Sequence, residues 1–66
     1  MNFSIEFELE DDGRWIAEIP QLPGVMVYGA TKDEARARVE ALALRVIADQ
    51  IEDSRLQIES ISFAAA

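Results

Sequence analysis

Apolar and polar residues alternate strictly near the beginning of the chain, over residues 3 to 10. The apolar set is Phe3, Ile5, Phe7 and Leu9, and the polar set is Ser4, Glu6, Glu8 and Glu10. A two-residue period is typical of a half-buried β-strand. We therefore predict a strand here, with the apolar set facing the core.

The next residues, Asp11-Asp12-Gly13, predict a hairpin turn. A three-residue loop with its glycine in the left-handed conformation sets Phe7 opposite Ala17, whereas a two-residue Asp-Gly turn sets Phe7 opposite Glu18. Because a one-residue slip exchanges the faces of a strand, the first register is favoured. It also pairs Glu10 with Arg14, Leu9 with Trp15 and Ile5 with Ile19. The second strand is predicted over about residues 14 to 19, with Trp15 in the core.

A short third strand is predicted after a turn-rich connection. Pro20 and Pro23 fix their own φ angles, and Gly24 gives the connection its freedom. Residues 25 to 28, Val-Met-Val-Tyr, then form the strand, which is predicted to end at Gly29.

The sequence Thr31-Lys32-Asp33-Glu34 has the pattern of a capping box at the start of a helix. In this motif the Thr31 hydroxyl accepts a hydrogen bond from the Glu34 amide, and the Glu34 carboxylate accepts one from the Thr31 amide. Asp33 and Glu34 also suit the positive end of the helix dipole. We therefore predict that a helix begins here.

One face of that helix is apolar at helical spacing. Its residues are Ala35, Val39, Leu42, Ala43 and Val46. Asp49 and Asp53 return to the same face. Burial is therefore predicted to end near residue 48, and the helix itself near residues 50 to 53.

A second apolar stripe lies on nearly the opposite side of the helix. Its residues are Ala37, Ala41, Leu44, Ala48 and Ile51. Between the stripes, i,i+4 spacing predicts three ion pairs, Glu34–Arg38, Arg36–Glu40 and Arg45–Asp49. One sheet cannot cover both stripes. Either the alanines of the second stripe are present for their high helix propensity, or this stripe, called the helix stripe below, contacts a subunit or partner around Leu44 and Ile51.

The last apolar segment, residues 55 to 63, predicts a final strand. The alternation changes between Ile58 and Ile61, which a bulge at Glu59-Ser60 or two short strand pieces would explain. Residues 64 to 66 are predicted to be a frayed tail, so that residues 1 to 63 form one domain. The predicted fold class is α+β in the order β-β-β-α-β, an antiparallel hairpin-based sheet with one helix packed on one face.

Composition narrows the chemistry. The 66 residues include no cysteine and no histidine, which excludes disulfides and ordinary zinc sites. The serines have no plausible base beside them, and Asp11 and Asp12 fit turn chemistry better than a cation site. We expect no enzymatic activity, no metal and no cofactor. A core this small usually needs further stabilisation, so we expect a homo-oligomer.

Charge points to the class of partner. Thirteen acidic and six basic residues give a net charge of −7, which disfavours nucleic acid and fits either solubility or a basic protein partner. In the predicted register Glu6, Glu8, Glu10 and Glu18 share the outer sheet face, with Glu6 opposite Glu18. Like charges directly opposite destabilise a sheet. A solvent-exposed face can tolerate the repulsion between these carboxylates, whereas a basic partner would remove it.

Targeting signals are missing from the sequence. No N-terminal basic stretch precedes an apolar run, and no apolar run approaches the roughly 18 residues of a membrane span. We expect a cytoplasmic protein that does not bind membranes.

Residues 12 to 25 and 28 to 35 resemble the HicB-like family of type II antitoxins. The shared pattern is a hairpin with an aromatic residue after its glycine, here Gly13 and Trp15. A Pro-x-Leu-Pro-Gly connection follows at residues 20 to 24, and Gly-x-Thr-x-x-Glu-Ala then opens the helix at residues 29 to 35. All the pieces occur in order, and the resemblance covers about residues 3 to 50.

The resemblance implies a partial RNase H-like fold in the order β-β-β-α-β. It also implies an antitoxin that binds and masks a small basic HicA-type toxin that cleaves mRNA. Typical members continue into a DNA-binding domain, and because this sequence stops at Ala66 we expect a short stand-alone form without direct DNA binding. The alternative is a homo-oligomeric structural domain, a dimer or tetramer, without a toxin partner. The outer acidic face and the helix stripe both remain candidates for the contact surface.

Overall fold

The computed structural model describes residues 1 to 65. Its elements are β1 (Asn2–Leu9), β2 (Trp15–Glu18), β3 (Met26–Gly29), α1 (Lys32–Ser54) and β4 (Ser62–Ala65). The strands form one sheet in the order β3-β2-β1-β4, and α1 packs mainly against β3 and β2. The predicted α+β class and the β-β-β-α-β order are confirmed.

The β1–β2 hairpin has the predicted three-residue loop. The Glu10 amide donates to the Arg14 carbonyl at 2.8 Å, and the Gly13 amide donates to the Glu10 carbonyl at 3.0 Å. Gly13 has a φ of 89°, a conformation that favours glycine because a side chain would be strained there. Phe7 lies opposite Ala17, so the predicted register is confirmed.

Gly29 brings the start of α1 close to the sheet. A Cβ built on Gly29 would lie 2.5 Å from the Ala35 backbone nitrogen and 2.8 Å from the Ala35 Cα. Any larger residue would push the first turn of the helix away from β3. The glycine at the end of β3 is therefore a packing requirement, and its φ is not positive.

The cap of α1 is half of the predicted box. The Thr31 hydroxyl accepts from the Glu34 amide at 3.0 Å, as predicted. The Glu34 carboxylate does not return to Thr31 but lies 2.9 Å from the Arg38 guanidinium, because the i,i+4 cation competes for the same oxygen. The helix ends at Ser54, and Arg55 adopts the left-handed conformation with a φ of 52°.

The core lies between the sheet and α1. Its buried residues are Phe3, Ile5, Ala17, Ile19, Leu22, Val25, Ala35, Val39, Ala43 and Ile47. On the helix the buried line follows every fourth residue from Ala35 to Ile47. The burial of Ile47 was not predicted, and Leu42 and Val46, which were predicted to be in the core, are only half buried. Because an α-helix has 3.6 residues per turn, a line of every fourth residue moves gradually around the helix.

Leu9 was predicted to face the core, and this was wrong. Its side chain is 56% exposed, since it is the last residue of β1 and lies beside the hairpin loop. The Lys32 amine lies over the rings of Phe7 and Trp15, 4.8 Å and 5.7 Å from their centroids. Trp15 is accordingly half buried at the rim of the core.

β4 departs most from the predictions. It runs parallel to β1, so the sheet is mixed and not antiparallel throughout. β3, α1 and β4 form a crossover, and a crossover through a helix joins parallel strands. Residues 55 to 61 are not in a strand, so neither a bulged strand nor two strand pieces is present there. β4 instead includes Ala64 and Ala65, which were assigned to the frayed tail; Ala66 lies outside the described residues.

Candidate protein-binding surfaces

The outer sheet face, on the side away from α1, combines carboxylates with apolar side chains. In β1 and β2, Glu6 lies directly opposite Glu18, and Glu8 lies opposite Ile16. These four residues and Phe7 line a shallow depression of about 400 Å³. The side chains on this face are the three carboxylates and Ile16, because Phe7 alternates with Glu6 and Glu8 and turns its ring toward the core.

The carboxylates of this depression have no cation beside them in the part of the chain that the structure describes. The ion pairs found there are Arg14–Asp12 at 2.7 Å, Arg36–Glu40 at 3.1 Å and Arg38–Glu34 at 2.9 Å. Glu6, Glu8 and Glu18 therefore form no ion pair with another residue of the described range, 1 to 65. Because Glu6 and Glu18 are opposed like charges, a cation bound here would remove a repulsion within the sheet.

Glu10 was predicted to belong to the same face, and the structure places it elsewhere. β1 ends at Leu9, and the Glu10 amide closes the hairpin loop by bonding to the Arg14 carbonyl. Glu10 is half buried and does not line the depression. The outer face thus gathers three of the four predicted carboxylates.

Two exposed apolar side chains extend this face toward the β3 edge. Met26 lies opposite Glu18, and Tyr28 lies opposite Ile16; they are 48% and 38% exposed. The Arg14 guanidinium lies over the Tyr28 ring, 4.3 Å from its centroid. Tyrosine and methionine are enriched in protein interfaces. The two-residue period of β2 and β3 would have identified these positions, which are not among the predicted site residues.

The helix stripe faces the other side of the molecule. Leu44 is 48% exposed and Ile51 is 39% exposed. Ala37 and Ala48 are exposed, and Ala41 is half buried. Two of the three predicted ion pairs beside the stripe form, but Arg45 and Asp49 do not pair among the described residues. The helix stripe and the outer sheet face are therefore separate candidate surfaces.

The Asp12 carboxylate stabilises the hairpin turn. The Arg14 amide donates to Asp12 Oδ1 at 3.0 Å, and the Arg14 Nε donates to Asp12 Oδ2 at 2.7 Å. The backbone hydrogen bond from Arg14 is the main cause that holds the pKa of Asp12 below its usual value, and the guanidinium adds to it. Within residues 1 to 65, no group of three or more acidic residues is arranged to hold a metal ion.

No helix within the described residues is both long enough and apolar enough to cross a membrane. No family model, no curated protein and no solved structure gives a significant match to this chain.

Proposed function

We propose that this protein is an antitoxin-like binding module that binds and masks a small basic HicA-type toxin through its outer sheet face. The observation that carries the proposal is the depression, where Glu6, Glu8 and Glu18 lie around the Ile16 side chain without a basic partner among the described residues. The resemblance of residues 3 to 50 to the HicB-like antitoxins supports the same class of function.

The chemistry of the depression suits an arginine or lysine side chain. Both carry an apolar stem below a charged head, and the depression offers apolar lining between carboxylates. Charge-assisted hydrogen bonds from a guanidinium to a carboxylate are among the stronger polar contacts in proteins. A nucleic acid would bring phosphates to the same carboxylates and be repelled. The proposed action is therefore protein binding, without catalysis and without direct DNA contact.

Masking follows from competition for the same cationic groups. A toxin that cleaves mRNA must bind phosphates with basic side chains. If those side chains enter the outer sheet face, its carboxylates take the positions that RNA phosphates would occupy. We place this encounter in the cytoplasm, where mRNA is translated.

The alternative function is a homo-oligomeric structural domain without a toxin. The exposure of Leu44 and Ile51 on the helix stripe favours some protein contact there. This contact would lie on the opposite side of the molecule, so both contacts are compatible in one assembly.

The proposal is tested by co-purification from the native host, with intact-mass detection of the proteins that the tagged chain recovers. The test variant is Glu6→Gln/Glu8→Gln/Glu18→Gln. The matched control is Asp49→Asn/Glu52→Gln/Asp53→Asn, which removes the same number of charges from exposed positions at the end of α1. Exposed ion pairs contribute about 0.2–1 kcal/mol each, so we expect the test variant to bind roughly tenfold more weakly.

The expected result is one small basic protein, recovered at fixed stoichiometry by the wild type and the control, released by high salt, and depleted in the test variant. Equal recovery by both variants would rule out the outer sheet face. Recovery of the tagged chain alone would favour the structural alternative.

A further inference from the structure

The two edges of the sheet differ in whether their outward-facing backbone groups have hydrogen-bond partners. In the β2–β3 register, the Ile19 amide donates to the Val25 carbonyl at 3.1 Å, so alternate residues Val27 and Gly29 also turn their backbone groups toward β2. Met26 and Tyr28 then turn theirs toward the outer edge of β3. The edge can accept another strand only if the backbone groups of Met26 and Tyr28 are free to bond to it.

The outer edge of β3 is already partly occupied. The Arg38 guanidinium donates to the Tyr28 carbonyl at 3.0 Å, and the Met26 amide donates to the Gly24 carbonyl at 3.1 Å. A strand that approached this edge would have to displace both contacts. Natural sheets protect exposed edges with charged side chains and local distortion in this way.

The outer edge of β4 has no such protection in the described part of the chain. The Ser62 amide donates to the Met1 carbonyl at 2.9 Å, so Ser62 and Ala64 turn their backbone groups toward β1. The backbone groups of Phe63 and Ala65 therefore point away from the sheet. β4 is the terminal strand of the sheet, and its residues carry no charge, proline or glycine.

The charge distribution favours a second copy of this chain at that edge. Two chains with a net charge of −7 repel each other. β4 and the segment of β1 that pairs with it, residues 2 to 5, contain no charged side chain. This corner of the sheet is therefore where two copies can approach with the least repulsion.

We propose that the protein forms a two-fold dimer by antiparallel pairing of β4 with β4 of a second copy. The register that joins outward-facing residues sets Phe63 of each copy opposite Ala65 of the other, with Ala64 beside Ala64 at the axis. Each Phe63–Ala65 pair exchanges two hydrogen bonds. The Phe63 ring, which stacks on Phe3 with 5.8 Å between centroids, meets a methyl group and not a second ring. The two sheets become one continuous sheet.

The helix stripe is the weaker candidate for this dimer. Leu44 and Ile51 are exposed, but Leu44 lies in the middle of α1, where the backbone groups are bonded within the helix. The β4 edge presents donors and acceptors that gain partners only when a strand is added.

The test is the molar mass of the purified chain by sedimentation equilibrium, with Ala65→Pro against Ala65→Ser. Proline at position 65 lacks the outward-facing amide N–H but leaves every hydrogen bond to β1 in place, whereas serine keeps that N–H. We expect a mass twice that of the 7.4 kDa chain for the wild type and Ala65→Ser, and the monomer mass for Ala65→Pro. A monomeric wild type, or a dimeric Ala65→Pro, would overturn the proposal.

Amide hydrogen exchange of the wild type keeps the test decisive if Ala65→Pro does not fold. The Phe63 and Ala65 amides should gain protection as the chain concentration rises. Fast exchange at every concentration would refute pairing with a second copy. Both measurements use the chain alone, so their failure leaves the proposed toxin binding standing, and failure of toxin binding leaves the dimer standing.

Discussion

Two glycines of this protein are required for different reasons. Gly13 has a φ of 89°, and a Cβ built there would meet nothing within 4 Å. Its role is conformational, because the hairpin loop needs a backbone that other residues adopt with strain. Gly29 has an ordinary φ, but a Cβ there would overlap the Ala35 backbone. The Gly13 role could be predicted from the Asp-Asp-Gly turn, whereas the Gly29 role depends on where the helix packs.

Replacing Gly29 with alanine should destabilise the fold by forcing the first turn of α1 away from β3. Overpacking of this kind costs about 1–3 kcal/mol, and we expect a loss in that range in the free energy of unfolding measured with denaturant. Ala30→Ser, at the exposed neighbouring position, serves as control and should stay within roughly 0.5 kcal/mol of the wild type. Wild-type stability of Gly29→Ala would contradict the close approach of Ala35.

Asp12 should titrate below the usual aspartate value of about 3.9, because the Arg14 amide and guanidinium favour its ionised form. Since the pKa is lowered in the folded state, the stabilising contribution is present above the usual value. It is lost as the pH falls through the lowered pKa. NMR titration of the Asp12 carboxyl measures this directly. Arg14→Gln should raise the Asp12 pKa only part of the way, because the main cause is the backbone amide. A full return to the usual value would show that the guanidinium dominates.

At the scale of elements, the period of two residues was enough to place β1 and β2 and to fix their register. Matching Phe7 with Ala17 selected one hairpin loop among two. Leu9 could not be assigned correctly, because the alternation does not show where the helix layer ends. The parallel direction of β4 depends on the route of α1 across the sheet, which no local pattern records. The same alternation predicted which carboxylates lie on the outer sheet face. Glu10 was assigned to that face incorrectly, because β1 ends at Leu9.

The N-terminal cap of α1 should contribute measurably to stability. Thr31→Ala removes the hydroxyl that accepts from the Glu34 amide, and loss of such a cap costs about 0.5–2 kcal/mol. We expect a decrease in that range in the free energy of unfolding. Thr31→Ser keeps the hydroxyl and should lose much less. Equal losses for the two variants would mean that the threonine methyl group, and not the cap, stabilises the helix.

At the scale of the whole molecule, the two proposed contact surfaces differ in charge. Glu6, Glu8 and Glu18 gather on the outer sheet face, whereas the β4 edge and the strand beside it are uncharged. A dimer through β4 would place two acidic outer faces on one continuous sheet. Each face would remain open to its own basic partner, so the two proposals describe one assembly of two chains and two toxins.

The most direct test of the central proposal is an mRNA cleavage assay with the basic protein that the chain recovers from its host. We predict that this protein cleaves mRNA and that an equimolar amount of the chain stops the cleavage. At a toxin concentration below the dissociation constant, the Glu6→Gln/Glu8→Gln/Glu18→Gln variant should raise the half-inhibiting concentration roughly tenfold, given about 0.2–1 kcal/mol for each lost ion pair. Cleavage that continues in the presence of excess wild-type chain, or a recovered protein that leaves mRNA intact, would contradict the antitoxin function.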